Sequence, residues 1–248
     1  MKLSAIIIAK DAEENIGKTI SSLPFSDEII VIDNESSDNT IGVAKKHGAV
    51  VYIHKQKDFA DQRNYGLEKA KGKWVLYVDT DEIVSKELAV NIQKVITDET
   101  NIAAYTLMRK NFYLGNYPWP YIESILRLFK KSALKQWYGQ LHESPNVNGS
   151  IGSLKGFLYH YSHQNLSLMV DKTIVYSKFE AETRLHSHHP EMVLWRFPRV
   201  MISAFLNSFV TQGGWKAGTP GIIESIYQSF SIFITYARLW ELQQMNKN

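Results

Sequence analysis

The chain contains no cysteine. That absence excludes a disulfide-stapled scaffold, a thiol nucleophile and a thiolate zinc site, agrees with a reducing compartment, and leaves oxygen and imidazole donors for any metal. An excess of one charge is missing as well: 28 Lys and Arg stand against 25 Asp and Glu in 248 residues, a formal +3. So small and scattered a surplus lacks the clustered basic footprint of nucleic-acid binding, and no nucleic-acid partner is expected. Long apolar runs are absent too. Leu3 to Ala9 is too short for a signal-peptide core and leads straight into acidic residues, so secretion is not expected. Towards the C-terminus the longest charge-free stretch, Val200 to Trp215, spans sixteen residues and includes Asn207, Gln212 and a Gly-Gly pair. That falls short of the roughly 20 apolar residues of a spanning helix. Neither G-x-G-x-x-G after the first strand nor G-x-x-x-x-G-K-[ST] occurs, so phosphate binding must rely on metal and basic side chains.

What is present is a globular composition, 44% hydrophobic and 21% charged, sized for one large domain or a domain with an appendage. Four β-branched runs, Leu3–Ile8, Glu28–Ile32, Ala49–Ile53 and Trp74–Val78, alternate with helical patterns at Glu14–Leu23, Asn39–His47, Ala60–Ala70 and about Lys86–Ile96. This is the signature of an α/β domain with a mostly parallel sheet flanked by helices, whose ligands sit beyond the carboxyl ends of the strands. From Asn101 to His163 the pattern loosens into the short strands Ala103–Arg109, Ile125–Phe129 and Gly156–His160, as suits an acceptor-binding region. The last part, 166–248, reads as helices, with ten aromatic residues among the 59 from Pro190 onward. There Ile222, Ile226, Phe230, Phe233, Ala237 and Trp240 mark one apolar helix face. Two readings of it stay open, packing against the rest of the protein or lying on a membrane with help from Trp195, Arg196, Arg199 and Trp215.

The sharpest local signal is WVLYVDTDE, where a hydrophobic strand ends in Asp79-Thr80-Asp81 followed by Glu82. Two aspartates at a strand's carboxyl end can hold Mg²⁺ or Mn²⁺ and leave positions open for substrate phosphates; the alternative is capping of the helix that follows. In EIIVIDNESSDNT the second strand brings Asp33, Asn34 and Glu35 to the same edge. Asp33 is the candidate for a nucleoside contact, while Ser36, Ser37 and Asp38 are expected to cap the next helix. Arg63 and Asn64 sit early in the third helix, where an arginine can reach a phosphate or form a surface salt bridge.

Taken in order, IIIAKDAEENI, EIIVIDNESSDNT, FADQRNYGLEKAKGKWVLYVDTDE, ILRLFKK and LHES resemble the family-two glycosyltransferases of GT-A fold, within them the lipopolysaccharide-core and surface-polysaccharide type. The resemblance covers residues 1 to about 165. It implies a catalytic domain over 1–165, with a nucleotide-sugar half (1–100) and an acceptor half (101–165); residues 166–248 are a helical extension beyond it, for which packing and membrane contact both stay open. It also implies an inverting, metal-dependent transfer from a nucleotide-sugar, a UDP-sugar above others, to a saccharide or lipid-linked saccharide. No covalent enzyme intermediate is expected, and the place of action is the cytoplasm or the inner face of the cytoplasmic membrane. Carried over residue by residue, Asp33 and Glu35 with Arg63, Asp79 and Thr80 would bind the donor. Asp81, with Asp79, would hold the cation, and His160 in LYHYSH would complete that site. Glu143 in GQLHES would be the general base, with Glu123 in YIES as the second choice and His142 orienting the loop. Arg109 and Arg127 can help with the diphosphate or an anionic acceptor, and Trp119, Tyr121 and Trp137 can stack on sugars or pack in the core. The family usually has Asn then Glu after the first-strand Lys, whereas this chain has Lys10, Asp11 and Ala12.

Two other readings compete. Hydrophobic residues before D-x-D also mark haloacid-dehalogenase-like phosphatases, with Asp79 as nucleophile, although there the motif closes the first strand rather than the fourth. A non-catalytic sugar-nucleotide or membrane-binding protein is the third.

Overall fold

A computed structural model describes residues 1–98, 100–139 and 143–247. The chain forms two compact units, one of residues 1–110 and 123–160, the other of residues 111–122 and 161–248. The second unit thus takes in twelve residues from the middle of the chain.

The first unit opens with β1 (Leu3–Ala9), α1 (Ile16–Ser21), β2 (Glu28–Asp33), α2 (Thr40–Lys46), β3 (Val50–Ile53), α3 (Phe59–Lys69) and β4 (Trp74–Asp79). Then come β5 (Glu82–Val84), α4 (Lys86–Thr97), β6 (Ile102–Tyr113), β7 (Tyr117–Lys130), β8 (Leu134–Tyr138), β9 (Ser144–Val147) and β10 (Ser150–His163), of which β6, β7 and β10 carry residues of both units. Eight strands form one sheet in the order β3-β2-β1-β4-β7-β6-β10-β5, and β8 and β9 pair separately. The ladders among β3, β2, β1 and β4 are parallel, while β4–β7 and β10–β5 are antiparallel. This mixed sheet flanked by helices is the GT-A arrangement, with β3, β2, β1 and β4 forming its N-terminal parallel part.

Side-chain alternation explains the layers. Leu3, Ala5, Ile7 and Ala9 of β1 and Trp74, Leu76 and Val78 of β4 join one core with α1, α2 and α4, while Ile6, Val75 and Tyr77 join a second core with α3 and β8. Strands buried on both faces read as unbroken apolar runs for this reason. Helix α3 starts where the Asp58 carboxylate accepts from Asp61 N at 2.8 Å, and α4 where Ser85 Oγ accepts from Leu88 N at 3.2 Å. Gly66 lets α3 lie close on the sheet, since a Cβ there would stand 2.6 Å from Ile6 Cγ2. The same close approach buries Gln62 and Arg63.

The second unit holds α5 (Leu166–His186), α6 (Arg196–Leu206), a π turn (Asn207–Thr211), a 3₁₀ turn (Gly214–Ala217) and α7 (Thr219–Met245). Its small core gathers Ala181, Met192, Tyr236 and Leu239, with Phe197 and Val200 against them. The apolar stripe of α7 faces outward: Ile222, Ile226, Phe230, Phe233 and Trp240 are exposed, whereas Glu224, Ser225 and Thr235 are buried. Among the described residues no helix is long and apolar enough to cross a membrane.

Candidate active site

The parallel register sets the site. Ala9 pairs with Asp33, and Ile8 with Asp79, so both carboxylates leave the sheet at one edge, on either side of β1. The pairing of Glu82 with His160 brings the end of β10 beside the D-x-D turn.

Arg63, on the buried face of α3, ties the site together. Its Nη2 donates to Asp79 Oδ1 at 2.9 Å and its Nε to Glu143 Oε1 at 2.8 Å, while its guanidinium lies 5.0 Å from the centre of the Trp137 ring. The expected rival, a surface salt bridge, is excluded because Arg63 is only 2% exposed. Asn64, the next residue, clamps β8: its amide donates to Trp137 O at 2.9 Å and its carbonyl accepts from Trp137 N at 2.7 Å. Glu143, a few residues beyond that clamp, is thus bonded to a helix lying 80 residues earlier.

Asp79 is shared. Arg127 Nη2 donates to its Oδ2 at 2.6 Å, and its backbone N–H donates to Glu82 Oε2 at 2.9 Å. Glu82 is fully buried and also accepts from Arg109 Nη1 at 3.2 Å, and Arg109 Nε donates to Glu123 Oε2 at 2.8 Å. A ladder of alternating charge therefore runs Glu143, Arg63, Asp79, Arg127, Glu82, Arg109, Glu123, with four carboxylates against three guanidiniums. Burial alone would raise the Asp79 pKa, but Arg127 and Arg63 outweigh it and hold the carboxyl well below its usual range. Burial likewise opposes the Arg63 charge, and Asp79 and Glu143 override it, raising that guanidinium above its ordinary value. Among the described residues Arg63 Nη1 and Arg127 Nε are buried without a hydrogen-bond partner.

For a divalent cation the residues divide. Both Asp79 oxygens accept from arginines, Oδ1 from Arg63 and Oδ2 from Arg127. Asp81 Oδ1 and His160 Nε2 stand 3.5 Å apart, both half-buried, one a hard oxygen donor and the other an imidazole. Among the described residues no three His, Asp or Glu side chains converge as a closed cage. Two protein donors beside a net negative ladder fit an ion that keeps most of its positions for water and substrate phosphates. Thr80 contributes its carbonyl oxygen, which accepts from Thr19 Oγ1 at 2.8 Å.

On the other side of β1, at the same edge, lies the loop after β2. Asp33 is fully buried, and its oxygens accept from Ser36 N at 2.9 Å and Ser36 Oγ at 2.6 Å. It thereby shapes the loop after β2. Ser36 and Ser37 do not cap α2; Ser36 Oγ accepts from Asp11 N at 2.9 Å, and Ser37 N donates to Asp11 Oδ1 at 2.7 Å. Asp38 alone reaches the helix start, accepting from Thr40 N at 3.0 Å. Glu35, with φ of 52°, and Asp11, with φ of 46°, both adopt left-handed backbone at this edge. Trp137 and Trp119 are buried, the first packing edge-on against Tyr77 and Phe129, so neither offers a sugar platform; Tyr121 is exposed. His142 lies outside the described residues.

Residues 4–159 match the sequence model of the family described as "Glycosyl transferase family 2". The chain belongs to that family, and the class of protein defined by fold and site is a glycosyltransferase. It is 29% identical over 262 residues to an uncharacterized glycosyltransferase, RT0209, of Rickettsia typhi, covering all of this chain and 89% of the relative. It is 24% identical over 256 residues to the lipopolysaccharide core biosynthesis glycosyltransferase LpsC of Rhizobium meliloti, covering 97% and 93%. Among solved structures, a mannosyltransferase from Pyrobaculum calidifontis in complex with GDP-Man and Mn²⁺ superimposes with a TM-score of 0.59 at 11% identity, covering 97% of this chain and 87% of that one.

Proposed function

We propose that the protein is an inverting, metal-dependent glycosyltransferase that moves a sugar from a nucleotide-sugar, with UDP-sugars the first donors to test, to a hydroxyl of a lipopolysaccharide-core or other cell-surface glycan. The observation that carries this reading is the single buried guanidinium of Arg63, bonded at once to the first D-x-D carboxylate and to Glu143. It couples the donor edge of the sheet to the candidate base.

Glu143 takes the proton of the acceptor hydroxyl as that oxygen bonds to the anomeric carbon. The bond from this carbon to the diphosphate breaks on the opposite face, and its electron pair leaves with the nucleoside diphosphate. Arg63 holds one Glu143 oxygen, which fixes the carboxylate and leaves the other to receive the proton. Glu123, bonded by Arg109 at the far end of the ladder, is the second candidate. Asp81 and His160 would hold Mn²⁺ or Mg²⁺, which when bound neutralises charge developing on the diphosphate. Asp79 keeps Arg63 and Arg127 beside that charge. Asp33 and Glu35, at the donor edge, would contact the nucleoside of the donor, and Asp33 also shapes the loop there through Ser36. LpsC is named for lipopolysaccharide core biosynthesis, which supports a saccharide or lipid-linked saccharide acceptor and action at the inner face of the cytoplasmic membrane.

The test is nucleotide release from a panel of UDP-, GDP- and CMP-sugars with Mn²⁺, Mg²⁺ or chelator, comparing wild type with Asp81→Ala. Metal-dependent release from one donor, lost in the folded variant, is expected. Undiminished release by Asp81→Ala overturns the cation assignment. Cleavage of a generic phosphate ester with no donor turnover overturns the transferase mechanism.

A further inference from the structure

The second unit carries an apolar exterior over a partly polar interior. Along α5 the buried positions include Thr173, Ser177 and Ala181, four residues apart, and Thr173 Oγ1 bonds the Tyr227 hydroxyl at 2.7 Å. Ser208 and Ser225 hydroxyls meet at 3.1 Å. Helix α6 buries none of its residues fully. Its inner side, Phe197 and Val200, leans on the small core, and yet its outer side is apolar as well. Leu194 is 88% exposed, and Trp195, Ile202, Leu206, Val210 and Trp215 are each about half exposed. Such a contiguous exposed patch calls for an occupant.

Charge identifies that occupant. Between Glu191 and Glu224 lie 32 residues that include Arg196, Arg199 and Lys216 and not one acid. The cations sit on the exposed tryptophans: Arg196 and Arg199 lie 5.3 and 5.9 Å from the Trp195 ring centre, and Lys216 lies 5.3 Å from that of Trp215. Arg196 and Arg199 also line a groove of about 430 Å³ with Ser203, His189 and Tyr236. Apolar side chains ringed by tryptophan and cations match the boundary between acyl chains and anionic headgroups. A second copy docking symmetrically on this face would bring the arginines toward one another with no acid of the segment to pair them.

We propose that residues 193–216 form the surface by which the protein docks on an anionic phospholipid bilayer, with Trp195, Ile202 and Leu206 in the interface and Arg196 and Arg199 taking headgroup phosphates beside the groove. The proposal deepens the membrane contact in the functional reading and rests on it, but vesicle binding itself is read without donor or acceptor. The full chain is sedimented with vesicles of phosphatidylcholine alone or mixed with phosphatidylglycerol, at rising salt.

Wild type is expected to bind the mixed vesicles, less tightly as salt rises. Arg196→Ala with Arg199→Ala should weaken partition about 25-fold, from about a factor of five per cation, while the double Lys variant retains it. Trp195→Ser with Ile202→Ser should weaken binding at every salt concentration. Far-UV circular dichroism and donor hydrolysis without vesicles check that each variant folds, and loss of vesicle binding with hydrolysis intact separates this surface from the transfer chemistry. Wild type that stays in the supernatant, or that binds both vesicle types equally with no loss in any variant, overturns the proposal. A wild-type dimer split by Trp195→Ser with Ile202→Ser, with no vesicle binding, overturns it in favour of a second copy.

Discussion

Replacing Arg63 by alanine tests the charge ladder at its most connected point. The variant leaves Glu143 without the guanidinium that fixes it and Asp79 with Arg127 alone. Breaking a buried pair by removing one partner costs about 3–5 kcal/mol. The lower end applies here, because Asp79 keeps Arg127 and Glu143, whose side chain is 15% exposed, can reach water. Loss of the stacking on Trp137 adds about 1 kcal/mol, so roughly 4 kcal/mol is expected in all. For a chain of this size each kcal/mol moves Tm by about 2–4 °C, so the midpoint should fall by roughly 8–16 °C. Arg63→Lys keeps the charge but not the planar fork that serves two carboxylates at once, and should recover only part of the loss. Thermal unfolding monitored by circular dichroism supplies the numbers, and a cycle with Glu143→Gln isolates the pair. A coupling of about 0.5–3 kcal/mol is expected for groups in direct contact. An Arg63→Ala protein that melts within about 2 °C of wild type, or a coupling of zero, would refute the reasoning.

Two further outcomes follow from the same geometry. Glu143→Gln should bind donor normally by calorimetry yet lose at least ~100-fold in kcat, while Glu123→Gln loses much less; the reverse order would move the base to the other end of the ladder. Stability should also fall with acid in a definite window. Because the Asp79 carboxyl is held below its unfolded value of about 3.9, its contribution is complete above roughly pH 5 and is lost as pH falls through the lower folded value. Asp79→Asn should therefore start less stable and show a shallower decline of Tm between roughly pH 5 and 3; parallel curves would assign the acid sensitivity elsewhere.

The parallel half of the sheet was legible because β1, β2 and β4, buried within the sheet, are apolar nearly throughout, and the edge strand β3, though partly exposed, is β-branched; the four runs from Leu3 to Val78 match β1 to β4 within a residue at each end. Beyond residue 100 that signal fails. Pro118 and Pro120 read as strand breakers, yet both lie within β7, and β9, with the sequence SPNV, offers no β-branched run to mark it. The residues of the site were nameable singly, but not their partners. Arg63 stands 16 residues from Asp79 and 80 from Glu143, and only the packing of α3 on the sheet brings the three together. Glu82 passed as one acid in a run of three; its place at the start of β5, beneath the D-x-D turn, makes it the buried acceptor for Asp79 N and Arg109. In α7 the periodicity located the apolar face and was silent on which side of the helix meets protein, since spacing carries no information about neighbours.

The left-handed backbone of Asp11 bears on which replacements that position can accept. A φ of 46° suits glycine, asparagine and aspartate and penalises β-branched side chains. The Asn usual in the family at this place would keep both the turn and an oxygen for Ser37, so Asp11 departs from it in charge rather than in shape. Exchanging the two residues should leave the loops after β1 and β2 fastened to each other while changing by one unit the electrostatic potential at the mouth of the donor edge. With the donor placed as proposed, position 11 is where affinity for a polyanion would be adjusted without touching the architecture beneath it.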